Sequence, residues 1–510
     1  MRAAHTVEDV RAAERALMAT VPDGTLMQRA AAGLAAICAR LLDHVYGAHV
    51  VVLAGSGDNG GDALFAGARL ADRGADVVAL AAGSQLHVAG AAELRARGGR
   101  VIAAVAAPTR AAAPAITEAA AHAIGSADLI MDGLTGIGGR GGLREPAATL
   151  AGLTVRARDE GAVVVAVDLP SGIDADTGEV HGAAIAADVT VTFGTHKPGL
   201  LVDPGASYAG TTELVDIGLG PFLGEPAVLA LQNADVTELL PHPAAESDKY
   251  RRGVLGLLAG SEQYTGALVL SCGGAIHTGA GMVRAVSAAH AIEVVRRYWP
   301  EAVLTTYDNA RPGEAVKMAG RVQAWTAGPG MGTGAAAREL LGAVLETDVP
   351  VLVDADGLTV LAAHPELLPR ALPTLITPHA GELARLLDAD RADIEARRLH
   401  YARKAAADLG VTVLLKGSTT VIARPELGLP VLVNPTGSSW LATAGSGDVL
   451  SGMAGALLAQ GVEPASAAAA AAYLHGIAAR LAARDAPIGA GDLIGAIAAA
   501  IRTATNPQTS

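Results

Sequence analysis

Short β-branched runs alternate with Ala- and Leu-rich stretches along the whole chain, and this alternation admits few folds. It predicts strands and crossover helices of a parallel α/β architecture. In the first half His49–Ala54, Asp76–Leu80, Asp128–Asp132, Val163–Asp168 and Val189–Phe193 read as buried strands. In the second half Val254–Ala259, Val322–Ala327, Val351–Asp354, Thr374–Thr377 and Val411–Lys416 read the same way. A chain of 510 residues outgrows one hydrophobic core and predicts two or three domains. The Pro- and Gly-rich stretch Gly218–Pro226, followed by Pro241, His242 and Pro243, marks a break. The expected division is a domain over 1–222, a linker over 223–245 and a domain over 246–510.

Half of the residues are apolar but only 3% are aromatic, so the cores must be built from Ala, Val and Leu. The Ala run 467–472 reads as helix. A net charge of −13 argues against nucleic acid or an anionic membrane as the main partner. Cys38 and Cys272 are too few and too far apart for a disulfide framework, and no Cys/His cluster points to zinc. The first residues lack an apolar signal region, and the longest apolar candidate, 453–483, is broken by Gln460, Glu463, Pro464 and Ser466. The expectation is a cytoplasmic protein, with assembly into a homo-oligomer as a further expectation.

Three strand ends in the first half carry chemistry. His49–Ala54 runs into Gly55-Ser-Gly-Asp58-Asn59-Gly60-Gly61-Asp62 and then a helical stretch, a turn whose amides face a phosphate at a helix N-terminus. Asp58, Asn59 and Asp62 do not suit a plain phosphate cradle; they point to ribose hydroxyls, a cation or proton transfer, against the plainer reading of an Asx-capped turn. Asp132 precedes a Gly-rich loop through Gly142, and Asp168 precedes Leu-Pro-Ser171-Gly-Ile-Asp174. Each aspartate alone is as readily a helix cap. Together they converge where parallel sheets bind ligands. Asp168 suits an acid/base role, with Lys197 in Thr195-His-Lys-Pro198 assisting by charge or standing as a solvated loop lysine.

The densest signal in the second half is Asn434–Asp448, ending Ala-Gly445-Ser-Gly447-Asp448 before a helical stretch. Amides at such a helix start face a transferring phosphoryl group, and Asp448 is placed to accept a hydroxyl proton. Upstream, Lys416-Gly417-Ser418-Thr419-Thr420 follows a strand and offers an ammonium, hydroxyls and amides to phosphates, with spacing unlike a Walker A loop.

In the first half GSGDNGGDA, DGLTGIGGRG, DLPSGID and THKPGL resemble the ordered motifs of the YjeF N-terminal, NAD(P)H-hydrate epimerase family, over about residues 8–220. The resemblance implies a Rossmann-like three-layer domain that interconverts the R and S forms of the 6-hydroxy nucleotide. It implies potassium on Asn59, Asp132 and Ser171. Substrate would be contacted by Asp58, Asn59, Gly60, Gly61 and Asp62, by Gly136, Ile137, Gly138, Gly139, Arg140, Gly141 and Gly142, and by Asp168. Asp58 departs from the family, which often has Asn there. In the second half GSEQYTGA, AGPGMG, VDADGL, TPHAGE, KGSTT and AGSGD resemble, in order, the ribokinase-like NAD(P)H-hydrate dehydratase family over about residues 246–502. Ala267, Gly332, His379 and Asp448 would then contact the hydrated dinucleotide, and Lys416, Gly417, Ser418, Thr419, Thr420 and Gly447 the adenine nucleotide. ADP is the expected co-substrate, yielding AMP and phosphate, with magnesium on its oxygens. Asp354 and Asp356 stay open between structural and magnesium-linked roles. Asp248 stands where His is frequent. The partners implied are the hydrates of NADH and NADPH, with ADP. Two other readings remain: a kinase of a small alcohol, which would share AGSGD, and a first domain that only senses nucleotides.

Overall fold

Strands that are apolar on both faces need cover on both sides, and the chain supplies it twice. The computed structural model describes residues 1–83, 85–106, 115–242, 246 and 248–505. It divides between Ala227 and Val228 into two units, with Met1 and Arg2 counted in the second. Residues 223–245 are not a plain linker: Val228–Ala230 is a strand and Asn233–Leu239 a helix of the second unit, while 243–245 lie outside the described residues. Met1 belongs there because its ammonium pairs with Asp235 at 2.8 Å.

In the first unit a seven-stranded parallel sheet runs Arg100–Ala103, Asp76–Ala81, His49–Ala54, Leu129–Gly133, Val163–Val167, Val189–Phe193, Thr211–Val215. Alternation along each strand splits its side chains between two cores. Val50, Val52, Met131 and Val165 pack with Leu34 and Leu64 of the helices Thr25–Leu41 and Asp58–Ala71. Val51, Leu53, Ile130 and Val164 pack with Ile124 and Leu150 of Glu118–Gly125 and Ala147–Asp159. The result is the expected three layers. From His49–Ala54 the chain works outward to Arg100–Ala103, then returns to the other side at Leu129–Gly133. This reversal opens a crevice at the carboxyl ends of those two central strands, where open α/β sheets bind ligands.

The second unit repeats the logic. Within the unit its sheet orders Val228–Ala230, Val431–Asn434, Thr420–Ala423, Thr412–Leu415, Thr374–Ile376, Val351–Val353, Ala324–Ala327, Val254–Leu258, Met282–Ser287, Val303–Thr306. Thr420–Ala423 pairs antiparallel with both neighbours, and the described pairings from Thr412–Leu415 to Val303–Thr306 are parallel. Here the order reverses between Ala324–Ala327 and Val254–Leu258, so the crevice opens beside Gly260 and the segment Ala327–Gly332. Trp325, only 1% exposed, fits the core because its register partner is Gly256, where an added Cβ would stand 2.5 Å from the indole ring.

With few aromatics, close backbone approach supplies the packing. Residues 467–472 are all buried within the helix Pro464–Ala483. The helix Ser446–Ala459 packs against Thr265–His277 and the central strands through glycines. A Cβ at Gly452 would stand 2.1 Å from the Ser271 carbonyl oxygen, one at Gly274 2.3 Å from that of Val449, and one at Gly455 2.0 Å from the Thr326 hydroxyl. Gly452→Val is expected to destabilise the second unit by about 1–3 kcal/mol through overpacking, read as a lower denaturant midpoint.

Candidate active sites

At the crevice of the first unit lies a cavity of about 820 Å³. Asp58, Asn59, Asp62, Gly136, Ile137, Gly138, Gly139, Asp168 and Lys197 line it, so the three loops do converge. Arg140 lines a smaller adjoining hollow of about 70 Å³. Gly60, Gly61, Gly141, Gly142, Asp132 and Ser171 line neither, and packing accounts for several of these. A Cβ at Gly60 would meet the Gly55 carbonyl oxygen at 2.3 Å, and one at Gly142 that of His181 at 1.8 Å.

Asp168 leaves the strand Val163–Val167 in the left-handed region, at φ 65°. Aspartate tolerates this better than most residues, and such outliers gather at functional sites. Its carboxylate accepts from the Thr192 hydroxyl at 3.1 Å, the Phe193 amide at 3.2 Å and the Lys197 ammonium. Lys197 is no solvated loop lysine: it is 1% exposed and also donates to Thr192 Oγ1 at 2.9 Å and the Phe193 carbonyl at 3.1 Å.

Carboxylates outnumber cations here. Burial, then repulsion from Asp168 and Asp58, holds Asp62 well above the usual range, and its Oδ1 is buried without a partner. Glu14, from the helix Val7–Met18, lines the same cavity and is also raised, by burial first and Asp168 next. Sequence reasoning missed Glu14 because an acid in an amphipathic helix carries no motif.

Asp132 lies within the strand Leu129–Gly133, one residue before its end, and is fully buried. It accepts from the Ser171 amide at 2.8 Å and hydroxyl at 2.7 Å, and from the Leu134 amide at 3.3 Å, yet burial still pushes it up to about 6. Asn59 packs beside the following loop, where a Cβ at Gly136 would stand 3.2 Å from its Oδ1; its Nδ2 is buried without a partner. One uncompensated carboxylate among neutral oxygens suits a hard, singly charged cation. Among the described residues no group of three or more His, Cys, Asp or Glu is placed to hold a metal.

In the second unit Gly445, at φ 89°, starts the helix Ser446–Ala459 and sets Asp448 in its first turn, half-buried. Burial, then repulsion from Asp354, pushes Asp448 up to about 7. Lys416 donates to Asp354 at 2.8 Å and lies 3.6 Å from Glu382. Burial opposes its charge, but Asp354 and Glu382 prevail and hold the ammonium above its ordinary value. A Cβ on Gly447 would stand 3.6 Å from the Lys416 nitrogen, so the lysine loop and the glycine turn face each other. Gly417 and Ser418 are exposed, whereas Thr419 and Thr420 are buried, Thr420 because it begins a strand.

Further residues hold this arrangement. Arg398 donates to the carbonyls of Leu415, Lys416 and Thr419 at 3.3, 2.7 and 3.4 Å. His475, which burial pushes down to about 4 and so keeps neutral, donates from Nε2 to the Ser446 carbonyl at 3.0 Å. Asp354 also accepts from Ser451 at 2.6 Å, and Asp356 from the Gly332 amide at 2.9 Å. His379 caps the helix Ala380–Leu387, its Nδ1 accepting from the Gly381 and Glu382 amides at 3.0 and 3.2 Å. Its Nε2 lies 3.5 Å from Glu382, and burial lowers its pKa. The amide of Lys416 donates to the Pro378 carbonyl at 2.8 Å, joining the TPHAGE and KGSTT segments. Ala267 and Gly332 stand at the crevice, and Gly445 packs on Leu270 of the helix that carries Ala267.

Removing one member of a buried pair strands the other charge. Lys197→Met is expected to cost roughly 3–5 kcal/mol, and Asp168→Asn with Lys197→Met less than Lys197→Met alone, measured by denaturant unfolding of all variants.

Residues 255–501 match the family described as NAD(P)H-hydrate dehydratase, and residues 23–199 the YjeF-related protein N-terminus. The bifunctional NAD(P)H-hydrate repair enzyme Nnr of Mycobacterium leprae is 47% identical over 95% of each chain. That of Moorella thermoacetica is 34% identical over 86% of this chain and 83% of its own. A solved ADP/ATP-dependent NAD(P)H-hydrate dehydratase from Bacillus subtilis, co-crystallized with ATP and Mg2+, is 29% identical with a TM-score of 0.50, covering 54% of this chain and 99% of that one. The chain therefore belongs to the bifunctional NAD(P)H-hydrate repair enzymes, with a YjeF-type first unit and a dehydratase second unit.

Proposed function

We propose that the first unit equilibrates the R and S epimers of hydrated NADH and NADPH, and that the second dehydrates the S epimer while converting ADP to AMP and phosphate. The observation that carries this reading is a carboxylate at each crevice: Asp168 paired with Lys197, and Asp448 in the glycine turn that faces the Lys416 loop. One chain then clears a mixture that a dehydratase acting on one epimer would leave half-used.

In the first unit Asp168 takes and returns the proton of the 6-hydroxyl, with Lys197 fixing its carboxylate. Asp58, Asp62 and the Gly136–Gly139 turn hold the nucleotide in the cavity. Asn59, Asp132 and Ser171 suit potassium, whose charge would offset the buried Asp132 carboxylate. In the second unit Asp448 takes the hydroxyl proton, the oxygen bonds to the terminal phosphorus of ADP, and AMP leaves. The C6–O bond then breaks with the ring nitrogen's electrons assisting, phosphate departs, and loss of a C5 proton restores the dihydronicotinamide. Lys416, Gly417, Ser418 and Gly447 line the phosphate path; Ala267, Gly332 and His379 face the coenzyme. Both oxygens of Asp354 are engaged, so magnesium would be held by phosphate oxygens and the second oxygen of Asp356, neutralising phosphate charge.

The test supplies mixed epimers with ADP and magnesium and follows dihydronicotinamide absorbance; complete conversion is expected, and no conversion would refute the reading. Asp168→Asn should stall near half conversion apart from slow spontaneous epimerisation, and Asp448→Asn should slow dehydration roughly 100-fold or more. A base acts when deprotonated, so wild-type kcat/KM for dehydration should rise with pH through about 7 and then level. Exchanging potassium for choline should slow epimerisation and leave dehydration of pure S epimer unchanged.

A further inference from the structure

We infer that Glu14 is a second catalytic group of the epimerase cavity, a proton donor working against Asp168; this rests on the epimerase reading above. Five carboxylates line the cavity, Glu14, Asp23, Asp58, Asp62 and Asp168, and Asp23 is exposed at its rim. Asp168 is committed to Lys197, and Asp58 and Asp62 sit on the Gly-rich turn at the start of a helix, the place for phosphate or ribose. Glu14 comes from a different wall, the helix Val7–Met18. It is half-buried and forms no hydrogen bond or ion pair within hydrogen-bonding distance among the described residues. A long side chain left unpaired inside a ligand cavity is free to meet the ligand.

Its surroundings fit the donor role. The charged groups that act on Glu14 are Asp168 and Asp58, which favour its protonated form, and Lys197 and Arg11, which oppose it, while Glu14 in turn raises Asp62. With burial, the sum leaves Glu14 raised, while Asp168 accepts from the Lys197 ammonium, so a proton donor and a proton acceptor face the same space. Ring opening uses both. Asp168 removes the 6-hydroxyl proton, the C6–O bond becomes a carbonyl, and the C6–N1 bond breaks with its electron pair passing to N1. Glu14 gives its proton to N1. Rotation about C5–C6 presents the other carbonyl face, and closure reverses each transfer, so atoms and charge balance without a co-reactant.

The test uses the full chain, pure R epimer and no ADP or ATP, and follows the S epimer by chromatography across pH. Glu14→Gln should lower kcat roughly 100-fold or more with KM changed only a few-fold, and Glu14→Asp should recover part of the rate. An acid acts when protonated, so wild-type kcat should fall at high pH and this limb should vanish in Glu14→Gln. Wild-type rates in Glu14→Gln, or a loss that keeps the basic limb and is spread equally over kcat and KM, would overturn the assignment. Absence of epimerisation in the wild type would overturn the epimerase reading itself, and the assignment with it.

Discussion

An ammonium with 1% of its surface exposed can stay charged only if the protein replaces water around it, and Lys197 is in that position. Its partners, Asp168, Thr192 and the Phe193 carbonyl, come from two adjacent strand ends, so the pair pins those ends together. The same device recurs in the second unit, where Lys416 rests on Asp354, which follows the strand Val351–Val353, and on Glu382 in the first turn of the helix Ala380–Leu387. In both units an ammonium sits against carboxylates at the crevice. Asp448 is moved to about 7 by burial first and by repulsion from Asp354 next.

Sheet order explains why these groups meet at all. Each sheet reverses direction once among its central strands, and the loops leaving those strands part to either side of the reversal. Helix starts turn their amides into the same space, which makes each crevice suited to an anionic nucleotide despite the chain's net charge of −13.

Much of this was legible in the residues. The ten expected strands all exist, because strands covered on both sides are near-continuous apolar runs. Those overlooked are instructive. Met282–Ser287 is interrupted by Arg284, while Thr420–Ala423 and Val431–Asn434 are four residues each. The expected linker hid Val228–Ala230 because its surrounding prolines and glycines dominate the local composition. Aspartates after strands could be found because a motif names them. Glu14, Arg398, His475 and Ser451 could not, since their roles come from tertiary contacts far along the chain, such as Ser451 on Asp354. Asp354 itself was open from sequence; its two bonds make it the counter-ion of Lys416.

The glycine seam beneath Asp448 bears on how such a chain can diversify. Where Gly274, Gly452 and Gly455 touch neighbouring atoms, there is no space for a larger residue, so evolutionary drift is blocked along the back of that helix. The exposed loop around Gly417 and Ser418 has no such restriction. New substrate preferences on this framework would therefore arise by rewriting loops while the seam stays fixed, keeping the reactive carboxylate in register through each change.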